Sequence, residues 1–178
     1  IAMGYARLQG GRTTVIVDAA APPGGRAART AHASTSAFEL CSGRRALVVN
    51  CGSGAAFGPD WQRAARATAS HSVLGMEGVS SSRLGATGDA LEHRAQVVAS
   101  RLTAGTEGTD LYLAHDGWVQ SHGLTASRSL TLAHDGRRLS GVDALTALTA
   151  EARRRFEDVM TQTAMEGAHF AVRFHLHP

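Results

Sequence analysis

The chain has 178 residues, 43% of them hydrophobic, and a formal net charge of +3 at pH 7. This length and composition suit one globular domain and exclude an intrinsically disordered chain, and no apolar run approaches the roughly 18 residues of a membrane-spanning helix. All 18 basic side chains are arginine and are scattered, with only 5% aromatic residues, so neither nucleic acid nor membrane is a predicted partner.

Short apolar runs separated by glycine and polar clusters predict an all-β, mainly antiparallel fold. The predicted strands, in chain order, are 4–8, 13–18, 37–41, 46–51, 72–77, a strand around 95–99, 109–115, 127–132, 138–143 and 170–177. The run 13–18 is apolar and β-branched at nearly every position, which predicts a strand buried on both faces or central in a sheet. The run 170–177 alternates, which predicts a single final strand with Phe170, Val172, Phe174 and Leu176 on one face.

Two hairpins and one helix are the clearest local signals. Residues 37–51 form one hairpin around a turn at 42–45, and Asp135-Gly136 provides the turn of the other. Residues 149–163 are predicted to be a helix near the C-terminal end, with Thr149 as its N-cap. A shorter helical turn is predicted at 59–66. The expected architecture is therefore a partial β super-sandwich with one helix.

Two cysteines are too few for a disulfide framework in a chain of this size. Cys41 lies beside the predicted hairpin turn, whereas Cys51 lies far up the return strand. This unequal placement predicts two buried free thiols and no disulfide bridge.

Three side chains at predicted strand ends form the most informative group. His32 precedes one strand, Asn50 ends its hairpin partner, and His71 opens a third strand. Turns at one end of a sheet bring such residues together, and imidazole is a usual ligand of Zn²⁺. The alternative is that the histidines only form hydrogen bonds with the loop ends.

Two segments resemble a known family. Residues 32–40 and 43–52 resemble the segment HxHxDxxSFxLxxxGxxLLVDxG, and residues 66–73 resemble RxTxxHNTV, both typical of the heparinase II/III-like β-domain in its alphaproteobacterial form. The resemblance implies a polysaccharide lyase that cleaves uronate-containing glycans, such as glycosaminoglycan or alginate, by β-elimination. It also implies a structural zinc ion, whose His, Asp and His ligands fall on His32, Asn50 and His71.

The sequence departs from the family pattern at three positions. Asn50 replaces the zinc-binding aspartate, and Thr30 stands where the catalytic histidine is expected. Ser34 replaces the aspartate of the HxHxD segment. No catalytic residue is therefore assigned in this chain, which by itself is expected to be inactive. The alternative function is a non-catalytic glycan-binding or structural module.

The resemblance also sets expectations about the parent protein. Residues 1–178 are expected to be a β-sandwich domain truncated at both ends, without the catalytic (α/α) toroid. The expected partners are an acidic polysaccharide, which a net positive charge suits, and the protein's own N-terminal toroid. Relatives with this fold favour the periplasm or cell envelope over the cytoplasm.

Other candidate groups have simpler explanations. Tyr5 and Tyr112 lie in predicted strands and are expected to be sheet residues. The pairs His115-Asp116 and His134-Asp135 resemble an oriented base, but each precedes a glycine in a turn-like context where aspartate already has a conformational role. His175 and His177 share one face of the final strand and are explained by an exposed edge.

Overall fold

The computed structural model describes residues 1–85 and 89–178 and consists mainly of antiparallel sheets. The strands are β1 (Tyr5–Gly10), β2 (Thr13–Asp18), β3 (Phe38–Ser42), β4 (Arg45–Val49), β5 (Leu74–Met76), β6 (Arg83–Leu84), β7 (Leu91–His93), β8 (Val97–Ala104), β9 (Gly108–Trp118), β10 (Leu124–Ala133), β11 (Leu139–Thr146), β12 (Phe170–Val172) and β13 (His175–Leu176). The helices are α1 (Pro59–Ala65), α2 (Val119–His122) and α3 (Ala150–Gln162), with 3₁₀ turns at Gly25–Arg29, Ala55–Phe57 and Thr68–Ser70. The predicted all-β fold class is confirmed.

Two sheets form the sandwich. One has five strands in the order β1-β2-β3-β4-β13, and the other has four in the order β11-β10-β9-β8. The main core lies between them, because alternate residues of each strand point inward. Its buried members are Ala6, Leu8, Val15, Val17, Ala19 and Phe38 from the first sheet side, and Leu111, Leu113, Leu130 and Leu132 from the second.

The two sheets also meet at their turns. Gly136, in the turn between β10 and β11, has φ +69°, and a Cβ there would lie 2.0 Å from the carbonyl oxygen of Gly10. The Thr13 hydroxyl donates to the Gly136 carbonyl oxygen at 2.7 Å. Only glycine fits this position, because it needs both a left-handed backbone and close contact with another strand. The Asp-Gly turn predicted from sequence is thus also a contact between sheets.

Both predicted hairpins are confirmed, of the two alternatives predicted for residues 13–18 the strand central in a sheet is the one observed, and the single final strand is wrong. β2 is central in its sheet, but Ile16 is 37% exposed, so the strand is buried on one face only. The final run is two strands: β12 pairs with β5, and β13 pairs with β4 at the edge of the five-stranded sheet. Because the chain changes partner between them, it crosses from one sheet to another. Three of the four apolar residues that were predicted to share a face are more than half exposed, namely Phe170, Phe174 and Leu176.

A second core cluster supports the predicted helix. Trp118 is fully buried there with Leu124 and Met76, and Phe156 of α3 packs against this cluster. The Trp118 indole donates to the Val79 carbonyl oxygen at 2.8 Å, so its polar group is satisfied. In the part of the chain that the structure describes, no helix combines the length and apolarity needed to cross a bilayer.

Thr149 is the N-cap of α3, as predicted. Its hydroxyl accepts a hydrogen bond from the Ala152 backbone N–H at 3.0 Å. We expect Thr149→Ala to lower the free energy of unfolding by about 1 kcal/mol, because one N–H of the first turn loses its partner. Urea denaturation measures this change. Thr161→Ala, inside the same helix, is the matched control; it should be neutral or stabilising because alanine is the better helix former.

Candidate functional site

The two predicted histidines meet at one end of the five-stranded sheet. Nδ1 of His32 lies 3.1 Å from Nε2 of His71, and the two rings are nearly perpendicular, with centroids 5.2 Å apart. The other ring nitrogen of His71, Nδ1, lies 2.8 Å from the Ala67 carbonyl oxygen. If His71 donates its Nδ1–H to that carbonyl, its Nε2 accepts the Nδ1–H of His32. In that tautomer the pair forms a chain of two hydrogen bonds that ends on the backbone.

Two residues of the RxTxxH segment, Arg66 and Thr68, hold the loops that carry these histidines. Arg66 is buried, and its guanidinium donates to the carbonyl oxygens of Ala31 and Ala28, each at 2.8 Å. The Thr68 hydroxyl donates to the Ala33 carbonyl oxygen at 3.0 Å. The segment before His71 is thereby fastened to the segment on either side of His32. The sequence did not predict that Arg66 and Thr68 hold these loops; they counted there only as part of the segment that resembles the family.

Asn50 has a fixed orientation in the same region. Its Oδ1 accepts a hydrogen bond from the Ser72 backbone N–H at 2.8 Å, and its Nδ2 donates to Oε1 of Glu39 at 3.2 Å. Rotating the amide by 180° would place the Nδ2 donor against the Ser72 N–H and the Oδ1 acceptor against the Glu39 carboxylate. The surroundings therefore determine which terminal atom is oxygen and which is nitrogen. The nitrogen, which has no free lone pair, is therefore the atom that faces the Glu39 carboxylate.

Burial keeps both histidines of the pair uncharged near neutral pH. Loss of solvation lowers the pKa of His71 to about 4, and the neighbouring His32 adds to this effect. Loss of solvation also lowers the pKa of His32, with a further contribution from the positive charge of Arg66. Two neutral imidazoles are consistent with one N–H···N hydrogen bond between them.

The pair, Asn50 and Glu39 all line one cavity of about 670 Å³. Asp18 also lines it, and the Ser34 hydroxyl donates to this carboxylate. Burial raises the pKa of Asp18, and the Ser34 hydrogen bond acts in the opposite direction. Among the described residues that line the cavity none is arginine. The cavity therefore carries two carboxyl groups and two neutral imidazoles.

Thr30, at the position expected for the catalytic histidine, also lines this cavity. Its hydroxyl is 3.4 Å from the Ala27 carbonyl oxygen, in the turn that ends the 3₁₀ segment. A threonine hydroxyl cannot act as a general base near neutral pH without a partner that takes its proton. The family's usual acid-base group is therefore absent at this position.

The residues present do not fit the three-ligand zinc site that the family implies. The two imidazole nitrogens are 3.1 Å apart and are suitable donors, but Oδ1 of Asn50 is already bonded to Ser72 and its other terminal atom is an N–H donor. Within residues 1–85 and 89–178, no three His, Cys, Asp or Glu side chains converge as a metal-binding group. No step of function is therefore derived through zinc.

The other candidate groups lie elsewhere. His115 is buried beside Trp118, and its Nδ1 accepts from the Gly117 backbone N–H at 3.2 Å. Asp135 accepts from the Arg137 N–H at 2.9 Å, the turn role expected from sequence. Tyr112 lies in β9, as predicted for a sheet residue. None of these residues lines the cavity of the histidine pair.

Tyr5, Cys51 and His175 lie near the site, whereas Cys41 lies in β3 beside the hairpin turn. Cys41 and Cys51 are free, as predicted, but Cys51 is exposed and Cys41 is only half-buried, which corrects the expectation of burial for both. Cys51 lies beyond the end of β4, where the ring nitrogen Nδ1 of His175 is 3.5 Å from its sulfur. Tyr5 is a sheet residue at the cavity wall and is 54% exposed.

Ser72 connects the site to the second sheet. Besides donating its N–H to Asn50, it bonds through its hydroxyl to the Val49 carbonyl at 2.8 Å. Its carbonyl oxygen accepts from Arg128 of β10 at 3.0 Å, and a second hydrogen bond from Arg128 reaches the Ser36 carbonyl at 2.9 Å. A bidentate ion pair with Asp143 at 2.7 and 2.8 Å orients the guanidinium. Neither Arg128 nor Ser72 was identified as a site residue from the sequence.

Comparison with known proteins agrees with this sandwich fold. The family described as "Heparinase II/III-like, C-terminal" matches residues 2–178, and the chain belongs to that family. FtsZ-localized protein C of Caulobacter vibrioides (strain NA1000 / CB15N) is 35% identical over 184 residues, covering 98% of this chain and 30% of the relative. The chain thus spans less than a third of that protein.

A solved structure supports the fold independently of sequence identity. A heparinase III with methylated lysines matches with a TM-score of 0.53 at 16% identity, over 75% of this chain and 18% of that one. At this identity the likeness shows the fold alone. The predicted heparinase II/III-like sandwich is confirmed.

Proposed function

We propose that this domain is a non-catalytic β-sandwich module of a longer heparinase II/III-like protein. The observation that carries the proposal is the composition of the cavity: Thr30 stands at the position of the expected catalytic histidine. β-Elimination on a uronate needs a group that removes the C5 proton and a group that neutralises the adjacent carboxylate. Thr30 supplies neither of these functions.

The charges of the cavity support the same proposal. Asp18 and Glu39 line it, and none of its described lining residues is arginine. A uronate carboxylate entering it would meet carboxyl groups and neutral imidazoles, which gives no electrostatic stabilisation to an anionic substrate. These features favour a structural module over one that binds an acidic glycan at this cavity.

The second candidate is the domain of an active polysaccharide lyase that cleaves an acidic glycan. Family membership supports it, together with Tyr5, His32 and His71, which are acid-base groups at one cavity. In this case the expected helical toroid of the parent protein would supply the remaining catalytic groups and would close the cleft over the substrate. The two candidates differ in one measurable property, elimination activity.

The test uses the full-length protein on heparan-type and alginate-type polysaccharides, with an active heparin-degrading lyase as positive control. Ultraviolet absorbance reports the unsaturated uronate that elimination produces. We expect no time-dependent increase. An increase that His32→Gln abolishes, in a variant that melts like the parent protein, would overturn the non-catalytic proposal and establish the lyase.

The relative named FtsZ-localized protein C supports a further part of the proposal, namely that the protein containing this domain localises with FtsZ. We expect a fluorescent fusion of the full-length protein to overlap with labelled FtsZ in dividing cells. The lyase assay and this imaging are independent. A fusion that is diffuse, although intact by immunoblot, would contradict the proposed localisation.

A further inference from the structure

The amide of Asn50 faces the cavity with the wrong atom for a metal ion. Its oxygen is held by the Ser72 N–H at 2.8 Å, and its nitrogen donates to Glu39 at 3.2 Å. Metal ions need a lone pair, which an amide nitrogen does not offer. The backbone N–H of Asn50 also points at the same Glu39 oxygen, at 3.3 Å. Glu39 is thus bonded to two donors from residue 50.

The histidine pair is satisfied without a metal ion. When His32 carries its proton on Nδ1, the chain from His32 to His71 to the Ala67 carbonyl uses one N–H of each ring, at 3.1 and 2.8 Å. A buried donor or acceptor without a partner would be costly, and the facing nitrogens of this pair avoid that cost by bonding to each other. Two neutral imidazoles alone are also fewer ligands than protein zinc sites use.

We propose that the residue at position 50 decides the state of this site: asparagine makes it a metal-free hydrogen-bonded cluster, and the single change Asn50→Asp converts it into a zinc site with His32 and His71. This inference concerns metal binding and does not depend on whether the parent protein is a lyase.

A carboxylate at position 50 changes the interactions with Ser72 and Glu39 in two ways. One oxygen keeps the hydrogen bond from the Ser72 N–H, so the local backbone is retained. The other oxygen replaces the amide nitrogen and faces the Glu39 carboxylate, where two negative charges repel unless a cation lies between or beside them. A dication therefore binds where asparagine had supplied its own hydrogen-bond donor.

The separation of the imidazoles also suits the proposed ion. Two nitrogens bound to one tetrahedral Zn²⁺ at about 2.0 Å lie about 3.3 Å apart. The nitrogens of His32 and His71 are already 3.1 Å apart. The Ala67 carbonyl orients the His71 ring from its far side, as backbone carbonyls do for zinc-binding histidines. Both rings must turn so that each lone pair points at the ion and no longer along the line between the two nitrogens, and His32 must carry its proton on Nε2.

The experiment measures zinc per chain after incubation with Zn²⁺ and exhaustive dialysis, and the thermal midpoint with Zn²⁺ or with EDTA. We expect the parent sequence to retain almost no zinc and to melt at the same temperature in both conditions. Asn50→Asp is expected to retain about one zinc per chain and to melt higher with Zn²⁺ than with EDTA, since an ion that binds only the folded state stabilises it. Adding His71→Gln to this variant should abolish both effects.

Ser53→Asp is the matched control, because it adds the same charge to an exposed position three residues away. It should behave like the parent sequence. If repulsion from Glu39 prevents Asn50→Asp from folding, the double change Glu39→Gln with Asn50→Asp removes that repulsion and keeps the new ligand. The proposal is overturned if the parent sequence retains one zinc that His71→Gln removes, or if folded variants with aspartate at position 50 retain none.

Discussion

Replacing Arg128 with methionine is expected to lower the free energy of unfolding by about 3–5 kcal/mol. Arg128 is only 3% exposed, and it forms a bidentate ion pair with Asp143 at 2.7 and 2.8 Å. The variant leaves the Asp143 carboxylate, whose side chain is 16% exposed, without its partner. It also removes the donors of two backbone carbonyls, those of Ser36 and Ser72. Urea denaturation of the folded chain measures the change.

The matched control is Arg138→Met. Arg138 pairs with Glu107 at 3.4 Å, but the two side chains are 68% and 76% exposed. Solvent screens such a pair, so the control should change the free energy of unfolding by less than about 1 kcal/mol. Adding Asp143→Leu to Arg128→Met should recover part of the loss, because the unpaired carboxylate is then gone. A loss of less than about 1 kcal/mol for Arg128→Met would contradict the stabilising role assigned to its bonds with Asp143, Ser36 and Ser72.

The same arginine connects stability to the candidate site. Its guanidinium lies 5.5 Å from the centre of the Phe38 ring, at the start of the hairpin that carries Asn50. Ser72, which it holds, donates to Asn50 and follows His71. Ser36 has a left-handed backbone, φ +67°, which is uncommon for a residue with a side chain. Arg128 thus fastens the two segments from which the cavity of the histidine pair is built.

The parts of the fold that depend on neighbouring residues could be predicted from the sequence. The hairpin at 37–51 and the Asp135-Gly136 turn follow from the alternation of apolar and polar residues and from turn chemistry within a few residues. The N-cap of α3 follows from a threonine three residues before the N–H that it accepts. The convergence of His32 and His71 was predicted from their places ahead of two strands. The strand that follows His71, β5, pairs with β12 and does not belong to the five-stranded sheet that contains β3.

The parts that depend on distant residues could not be predicted. Nothing in the alternating run 170–177 specifies that its first half pairs with β5 and its second half with β4. Arg128 bonds to a carbonyl 92 residues away, and neither partner carries a local signal for that contact. The orientation of the Asn50 amide is set by Ser72 and Glu39, which are 22 and 11 residues away. These contacts decide what the site can bind.

The second large expected effect is a loss of stability as the pH falls from about 6.5 to about 4. Burial lowers the pKa of both His71 and His115 to about 4, from an ordinary value of 6.5. Between these values the unfolded chain binds protons that the folded chain does not, so the free energy of unfolding decreases as the pH falls. The stabilisation is complete above about pH 6.5 and is lost toward pH 4. Each histidine contributes a slope of up to about 1.4 kcal/mol per pH unit.

One group titrates in the opposite sense. Burial raises the pKa of Asp18, so the folded chain binds this proton more readily than the unfolded chain, which opposes the loss of stability at acidic pH. The pH dependence of the free energy of unfolding that a single histidine contributes is therefore best measured by comparing variants over the same pH range.

His115→Asn isolates that slope, because the asparagine oxygen can still accept the Gly117 N–H that bonds to Nδ1 of His115, at 3.2 Å. Between pH 4.5 and 6.5 the free energy of unfolding of the variant is expected to change less steeply with pH, by up to about 1.4 kcal/mol per pH unit. His177→Asn, at an exposed position, is the control and should retain the parent slope. Urea denaturation at several pH values measures all three chains. Parallel curves for the parent and His115→Asn would mean that His115 is not held neutral in the folded core.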